Sequence, residues 1–191
     1  MIQEFTEMFD FGKKNEKNSK NDDERLKPLI EYAKKCHNTA ENGKPQMRWG
    51  RLNYFENHPM EVYKMIKNAG YSFDYQAAGI CHDLLEDTKA DPETIKNLSN
   101  DKVLEAVKLL TKKDGQSNEE YLAKIDKNDI AKVVKACDRL NNMKSLLKDA
   151  PKEMALKYLA KKHIEDTEHF YKNYKMKIDI LGELAKIKKS L

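Results

Sequence analysis

Several features are absent from the 191-residue sequence, and each absence excludes a class of protein. No run of about 18 apolar residues occurs, so the sequence does not predict a membrane protein. Only three cysteines are present, none in a Cys-x-x-Cys pair, and the first residues lack a basic stretch followed by an apolar core. This pattern predicts a chain that folds in the reducing cytoplasm.

A strong excess of one charge is also absent. The sequence has 36 Lys and Arg residues against 32 Asp and Glu residues, which leaves a formal net charge of only +4. Basic residues are interleaved with aromatic ones only between Lys44 and Tyr54, so we do not expect nucleic acid as a partner. We interpret the abundant charge as the solvated surface of a helical protein.

Most of the chain has the hydrophobic spacing of amphipathic helices, and no alternating run is long enough to predict a strand. One long irregular stretch, Asn42–Asn57, interrupts the pattern. The predicted helices are Arg25–Glu41, Pro59–Asn68, Tyr75–Asp87, Pro92–Leu98, Asp101–Lys112, Asn118–Ile125, Asp129–Lys148 and Pro151–Tyr174. The sequence therefore predicts an all-α, single-domain bundle of about eight helices.

The two ends of the chain differ from this central part. No apolar residue occurs between Gly12 and Leu26, which indicates a polar leader over residues 1–24. We expect the domain itself to span residues 25–174 and a helical tail to occupy residues 175–191.

Titratable residues are concentrated in the segment Cys81–Thr88, which reads CHDLLEDT. On one continuous helix, His82 and Glu86 would share a stripe, and Asp83 and Asp87 would share the neighbouring stripe. The residues around them are small and apolar, which predicts a buried helix whose polar groups need partners. A divalent cation with a nearby base would satisfy them, and an exposed acidic face is the alternative.

Two further residues elsewhere in the chain complete a candidate ligand set. His58 stands immediately before Pro59, and Asp138 lies inside an apolar helical stretch. Together with the His-Asp pair they offer imidazole nitrogens and carboxylate oxygens, which suit a divalent metal ion. The alternatives are a structural histidine at a helix start and an aspartate that caps a helix or pairs with an arginine.

The order His…His-Asp…Asp resembles the HD superfamily of metal-dependent phosphohydrolases. The finer pattern, AAGICHDLLEDT followed by KACDRLNNM, is similar to the hydrolase domain of RelA/SpoT-type alarmone enzymes, which carry HDxxED and a later DRLxN. The 24-residue interval from His58 to His82 also fits that family. The resemblance covers about Arg25–Tyr174 and implies an HD-type helical bundle.

The resemblance also implies roles for individual residues. It implies a divalent metal ion, manganese in the first place, with four ligands: His58, His82, Asp83 and Asp138. Glu86 and Asp87 would orient or deprotonate the attacking water. Asn142 matches a residue that contacts the nucleotide in the family, and Ser145 stands where the family often has threonine.

The loop that follows His37 departs from the family, because it is longer, reordered and without an Arg-Lys-Ser-Gly stretch. Three basic side chains in it are candidates for phosphate contacts: Lys44, Arg48 and Arg51. Trp49 or Tyr54 would stack on a base. The alternative is a solvated basic loop with one aromatic anchor.

The predicted activity is removal of pyrophosphate from the 3′ position of guanosine tetra- or pentaphosphate, so the expected partner is a phosphorylated nucleotide. Because of the altered loop, an HD phosphohydrolase acting on another nucleotide or phosphate ester is the second hypothesis. A non-catalytic nucleotide-binding module is the third. The sequence leaves open the oligomeric state and the choice between manganese and another divalent metal.

Overall fold

A computed structural model describes residues 21–150, 168, 171 and 179–189 of the chain. The helices are α1 (residues 21–38), α2 (Tyr54–Asn57), α3 (Pro59–Asn68), α4 (Phe73–Cys81), α5 (Leu84–Asp87), α6 (Pro92–Leu98), α7 (Asp101–Leu110), α8 (Asn118–Ile125), α9 (Asp129–Asp149) and α10 (Ile180–Lys189). The all-α prediction is confirmed. The described residues depart from it in a small antiparallel pair of strands, β1 (Met47–Arg48) and β2 (Leu52–Asn53), and in an isolated bridge between Glu41 and Lys44.

Helix α4 is the centre of the bundle and packs against α3, α7 and α9. Its small residues allow this close packing. A Cβ atom added at Gly79 would lie 2.7 Å from Cδ1 of Ile66 and 3.7 Å from the backbone of Tyr63, so α3 crosses α4 at this point. The close approach brings the first residues of α3 beside the last residues of α4, where the candidate site lies.

The prediction of one continuous helix over Tyr75–Asp87 is wrong. Helix α4 ends at Cys81, a turn follows, and α5 begins at Leu84. The imidazole Nδ1 of His82 lies 2.9 Å from the carbonyl oxygen of Gly79, which would accept the Asp83 N–H in an unbroken helix. The two predicted stripes of titratable residues on one helix therefore do not form.

Smaller differences concern helix ends. Helix α1 already includes residues 21–24 and ends at residue 38, and α7 ends at Leu110. The bounds of α3, α6 and α8 agree with the prediction. The predicted helix Pro151–Tyr174 and the leader up to residue 20 lie outside the described residues, apart from residues 168 and 171. Helix α10 lies within the predicted tail and contacts α9, where Glu183 pairs with Lys144.

The hairpin β1–β2 forms within the stretch predicted to be irregular. Trp49 (φ +53°) and Gly50 (φ +72°) both adopt left-handed backbone conformations at its turn. None of the helices described for this chain combines the length and apolar character that crossing a bilayer requires.

Candidate metal centre

His58 lies at the junction of two helices. It is the C-cap of α2 and the N-cap of α3, with Pro59 at the first helical position after it. Its backbone N–H donates to the carbonyl oxygen of Tyr54 at 2.9 Å. The imidazole is buried, and its Nδ1 lies 2.7 Å from Oδ1 of Asn141 on α9. The ring is therefore fixed by a helix start on one side and by an amide on the other.

His82 is held in a similar way at the end of α4. Its Nδ1 lies 2.9 Å from the carbonyl oxygen of Gly79, and a carbonyl oxygen only accepts hydrogen bonds. The proton of the neutral ring is therefore on Nδ1, which leaves a lone pair on Nε2. The Nε2 atoms of His58 and His82 face each other at 3.1 Å.

Two carboxylates converge on the same two nitrogen atoms. Oδ2 of Asp83 lies 3.3 Å from Nε2 of His58 and 3.0 Å from Nε2 of His82. Oδ1 of Asp138 lies 3.2 Å and 3.9 Å from the same atoms. The Asp138 side chain is only 5% exposed, whereas that of Asp83 is 19% exposed, so the centre opens to solvent on the Asp83 side.

This donor set fits a divalent cation. Ligand atoms of His58, His82 and Asp138 all lie within 4.8 Å of one another, and Asp83 adds a carboxylate beside them. Two imidazole lone pairs and two carboxylates repel one another unless positive charge lies between them. Mixed nitrogen and oxygen donors are typical ligands of manganese, zinc and similar ions.

The electrostatics of the metal-free protein are consistent with this need for positive charge. Burial lowers the pKa of His58, but the hydrogen bonds and charges of Asp138 and Asp83 outweigh it and raise this pKa to about 9. Burial opposes ionisation of Asp138, yet the charge of Lys135 and the contact with His58 hold the pKa of its carboxyl group below the usual range. A proton on His58 thus replaces part of the charge that a metal ion would bring.

Each carboxylate is also held by a neighbouring side chain. Nζ of Lys135 lies 2.7 Å from Oδ2 of Asp138, and Nδ2 of Asn142 donates to Oδ1 of Asp138 at 2.6 Å. The hydroxyl group of Tyr54 donates to Oδ2 of Asp83 at 2.6 Å. Lys135 is not among the residues predicted from the sequence, although its position three residues before Asp138 on an apolar helix places the two side chains on one face.

Glu86 and Asp87 lie beside the cluster on α5 and are both exposed. Oε2 of Glu86 accepts a hydrogen bond from the backbone N–H of Lys112 at 3.0 Å. Desolvation of its carboxyl group and the negative charge of Asp83 raise the pKa of Glu86, although the Lys112 N–H opposes this. Oδ2 of Asp87 accepts a hydrogen bond from Nε2 of Gln46 at 3.0 Å, a contact that the sequence analysis missed.

The hairpin brings Arg48 to α9. The guanidinium group is buried, and it donates from Nε to Oγ of Ser145 at 3.1 Å and from Nη2 to Oδ1 of Asn142 at 2.7 Å. The indole N–H of Trp49 also donates to Oγ of Ser145, at 2.9 Å. Because Asn142 also contacts Asp138, a chain of hydrogen bonds joins Arg48 to the candidate metal centre.

Two other predicted substrate contacts lie farther out. Arg51 is exposed, and its Nη2 donates to the carbonyl oxygen of Asp149 at the end of α9, at 2.7 Å. Lys44 is exposed in the loop, where its backbone pairs with that of Glu41. Arg48, Asn142 and Ser145 are thus brought together beside the metal centre, and Lys44 is not tied to that group by any contact among the described residues.

Comparison with known proteins supports the fold. No family model matches the chain. A solved structure described as a metazoan ortholog of SpoT that hydrolyses ppGpp and plays a role in starvation responses superposes on the chain with a TM-score of 0.63. The superposition covers 87% of this chain and 94% of that chain, at 19% sequence identity. The chain therefore has the all-α, HD-type fold of that SpoT ortholog, as its HDxxED and DRLxN motifs predict.

Proposed function

We propose that the protein is a metal-dependent phosphohydrolase that releases pyrophosphate from the 3′ position of guanosine tetra- or pentaphosphate. The observation that carries this proposal is the convergence of four electron-rich ligand atoms, two imidazole nitrogens and two carboxylate oxygens, from the ends of α3 and α4 and from the interior of α9. In the metal-free protein a proton on His58 supplies part of the positive charge that these atoms need, and a divalent ion would supply it in full. The reaction of the structurally similar SpoT ortholog supports the choice of substrate.

Four residues would hold the ion, which we expect to be manganese: His58, His82, Asp83 and Asp138. A divalent ion bound by these residues would supply Lewis acidity, which would neutralise phosphate charge and make water more acidic. Asn141 and the Gly79 carbonyl keep the two imidazole rings in the tautomer that presents Nε2. Tyr54 and Lys135 hold the two carboxylates in place.

Glu86 and Asp87 would act on the attacking water. Both are exposed beside the cluster, and neither is hydrogen-bonded to the proposed ligands through its carboxylate. Desolvation raises the pKa of Glu86, which makes it a better proton acceptor than an ordinary glutamate, because a base works best when its pKa is near the working pH. Asp87 would then orient the water.

Arg48, Asn142 and Ser145 would bind the phosphorylated substrate, with Arg51 and Lys44 at the outer side. Arg48 uses two donor groups on Ser145 and Asn142, and a guanidinium group carries five N–H donors, so others remain for phosphate oxygens. We expect the protein to act in the reducing cytoplasm, as the cysteine pattern of the sequence predicts.

The altered loop gives the second candidate, an HD phosphohydrolase for another nucleotide or phosphate ester. Arg48 and Trp49 both hydrogen-bond to one hydroxyl group, that of Ser145, and so fix the shape of this side of the site. A pocket shaped in this way selects by the groups that it contacts directly.

The test is release of pyrophosphate by metal-stripped protein after addition of manganese, with the alarmone and a panel of other nucleotides and phosphate esters as substrates. We expect turnover of the alarmone that depends on the metal and is lost in Asp83→Ala. Asp114→Ala, an exposed aspartate in the loop before α8, is the matched control and should keep full activity. A preference of about tenfold or more for another substrate would support the second candidate. Tight binding without turnover under any metal would make the protein a nucleotide-binding module.

A further inference from the structure

A chain of hydrogen bonds reaches Asp87 from the interior of the protein. His37, near the end of α1, is fully buried, and its Nδ1 lies 2.8 Å from Oε1 of Gln46. Nε2 of Gln46 donates in turn to Oδ2 of Asp87 at 3.0 Å. We propose that His37 and Gln46 are positioning residues that fix the Asp87 carboxylate for its part in the reaction. This inference rests on the proposed function and adds two residues to its machinery.

The direction of the chain follows from its last member. An ionised carboxylate only accepts hydrogen bonds, so the amide NH₂ group of Gln46 must face Asp87. The amide oxygen then faces His37, and Nδ1 of His37 must carry a proton. Burial lowers the pKa of His37, so the ring is neutral and its Nε2 carries no proton.

The environment of the second ring nitrogen, Nε2, indicates that His37 does more than fill space in the core. Nε2 of His37 is buried and has no hydrogen-bond partner among the described residues. An unpaired buried polar atom destabilises a fold, and an apolar side chain would avoid that loss. The contribution of the imidazole group therefore lies in its Nδ1–H.

Asp87 needs an external anchor because of its position. It is the last residue of α5, a helix of only four residues, and it is exposed. The backbone of Gln46, in contrast, is held on both sides: its N–H donates to the His37 carbonyl oxygen and its carbonyl oxygen accepts from Tyr54, each at 2.9 Å. Because the backbone of Gln46 is fixed to α1 and the hairpin, its side chain holds Oδ2 of Asp87 in place. The other carboxylate oxygen, Oδ1, is then left to contact water.

The competing explanation is that the chain merely anchors the loop to the body of the protein. A neighbouring contact provides the matched control. Nδ2 of Asn53 donates to Oδ1 of Asn38 at 2.8 Å, which ties the same loop to the same end of α1 without reaching Asp87. Loss of loop anchoring alone should make Asn38→Ala as harmful as a change at Gln46.

The experiment compares steady-state kinetics on the alarmone for four variants, each checked for fold by thermal unfolding. In Gln46→Met and His37→Leu we expect kcat to fall about tenfold or more while KM stays within about twofold, because a misplaced group lowers the rate of the chemical step. His37→Asn should have a higher kcat than His37→Leu, since the asparagine amide NH₂ lies near the position of the histidine Nδ1–H and can donate to Gln46. Asn38→Ala should keep kcat within about twofold.

A second measurement keeps the inference falsifiable where a variant fails to fold. Nitrogen-15 NMR of the wild-type protein reads the tautomer of His37, and we expect the Nδ1–H form. The inference is overturned by an Nε2–H form, by a folded Gln46→Met variant with unchanged kcat, or by an Asn38→Ala variant that loses as much activity. A wild-type protein that releases no pyrophosphate refutes the proposed function instead, whereas an active wild type with an unaffected Gln46→Met variant refutes only this inference.

Discussion

The Nε2 atoms of His58 and His82 lie 3.1 Å apart, although 24 residues separate them in the sequence. Each ring is turned toward the other by a hydrogen bond at its opposite nitrogen, to Asn141 for His58 and to Gly79 for His82. Two neutral imidazoles in this arrangement cannot hydrogen-bond to each other, because both Nε2 atoms present lone pairs. A proton on His58 balances the pair in the metal-free protein, and a divalent ion would take its place between the two nitrogen atoms.

A divalent metal ion should stabilise the fold, because it binds the native cluster and has no comparable site in the unfolded chain. Manganese added to metal-stripped protein at about 100 times its Kd should raise Tm by about 5–10 °C, which corresponds to roughly 2.7 kcal/mol for a chain of this size. His82→Ala should abolish the shift. Differential scanning fluorimetry measures it, and an unchanged Tm with manganese, zinc and magnesium alike would contradict the assignment of the metal centre.

The sequence predicts helix starts well where a proline or a capping side chain determines them. The starts of α3 and α6 follow from Pro59 and Pro92, and the start of α8 follows from a capping box between Ser117 and Glu120. The break after Cys81 was not predictable from periodicity, because it accompanies a side-chain contact, that of His82 Nδ1 with the Gly79 carbonyl oxygen, which periodicity does not report.

Contacts between segments that are distant along the chain could not be predicted from the sequence either. Arg48 and Ser145 are 97 positions apart, and their hydrogen bond requires the hairpin to pack on α9. The contact of Gln46 with Asp87 spans 41 positions and joins the loop before the hairpin to α5. The motifs identified which residues carry the chemistry, whereas the hydrogen bonds that orient them arise from tertiary structure.

Lys135→Met should destabilise the metal-free protein more than the metal-loaded protein. The ammonium group balances Asp138 across 2.7 Å, so its removal leaves a buried carboxylate with less compensation, at about 1–3 kcal/mol. A divalent ion restores the missing charge and should bind more tightly once a neighbouring cation is gone. Thermal unfolding with and without manganese, together with calorimetric titration of the metal, measures both effects.

The control for this variant is Lys148→Met, which changes an exposed lysine on the same helix. It should shift neither Tm nor metal affinity. If Lys135→Met binds manganese more weakly than the wild type, Lys135 does not act on the centre through its charge.

Arg48→Lys should raise KM for the alarmone about tenfold or more and lower kcat less. A lysine ammonium group is a point charge and cannot bridge Ser145 and Asn142 while facing a phosphate, as the planar guanidinium group can. Arg25→Lys is the control, since Arg25 is exposed on α1, pairs with Asp22 and is not among the proposed substrate contacts. Equal KM values for the wild type and Arg48→Lys would remove Arg48 from the substrate site.

Glu86→Gln should lower kcat by roughly 10²–10⁴, the contribution of a positioned general base, and should also remove the acidic limb of the pH–rate profile. Desolvation and the charge of Asp83 raise the pKa of Glu86, so the acidic limb of the wild-type profile should lie at higher pH than an ordinary glutamate gives.

The same pKa shift of Glu86 affects stability. Because the folded state holds this proton more tightly than the unfolded chain, stability falls as pH rises from the unfolded pKa to the folded pKa. Above that window Glu86→Gln should therefore unfold at the same or a higher temperature than the wild type, since its amide oxygen still accepts from the Lys112 N–H. A variant that loses activity and also unfolds at a lower temperature would show that Glu86 supports the fold and not the chemistry.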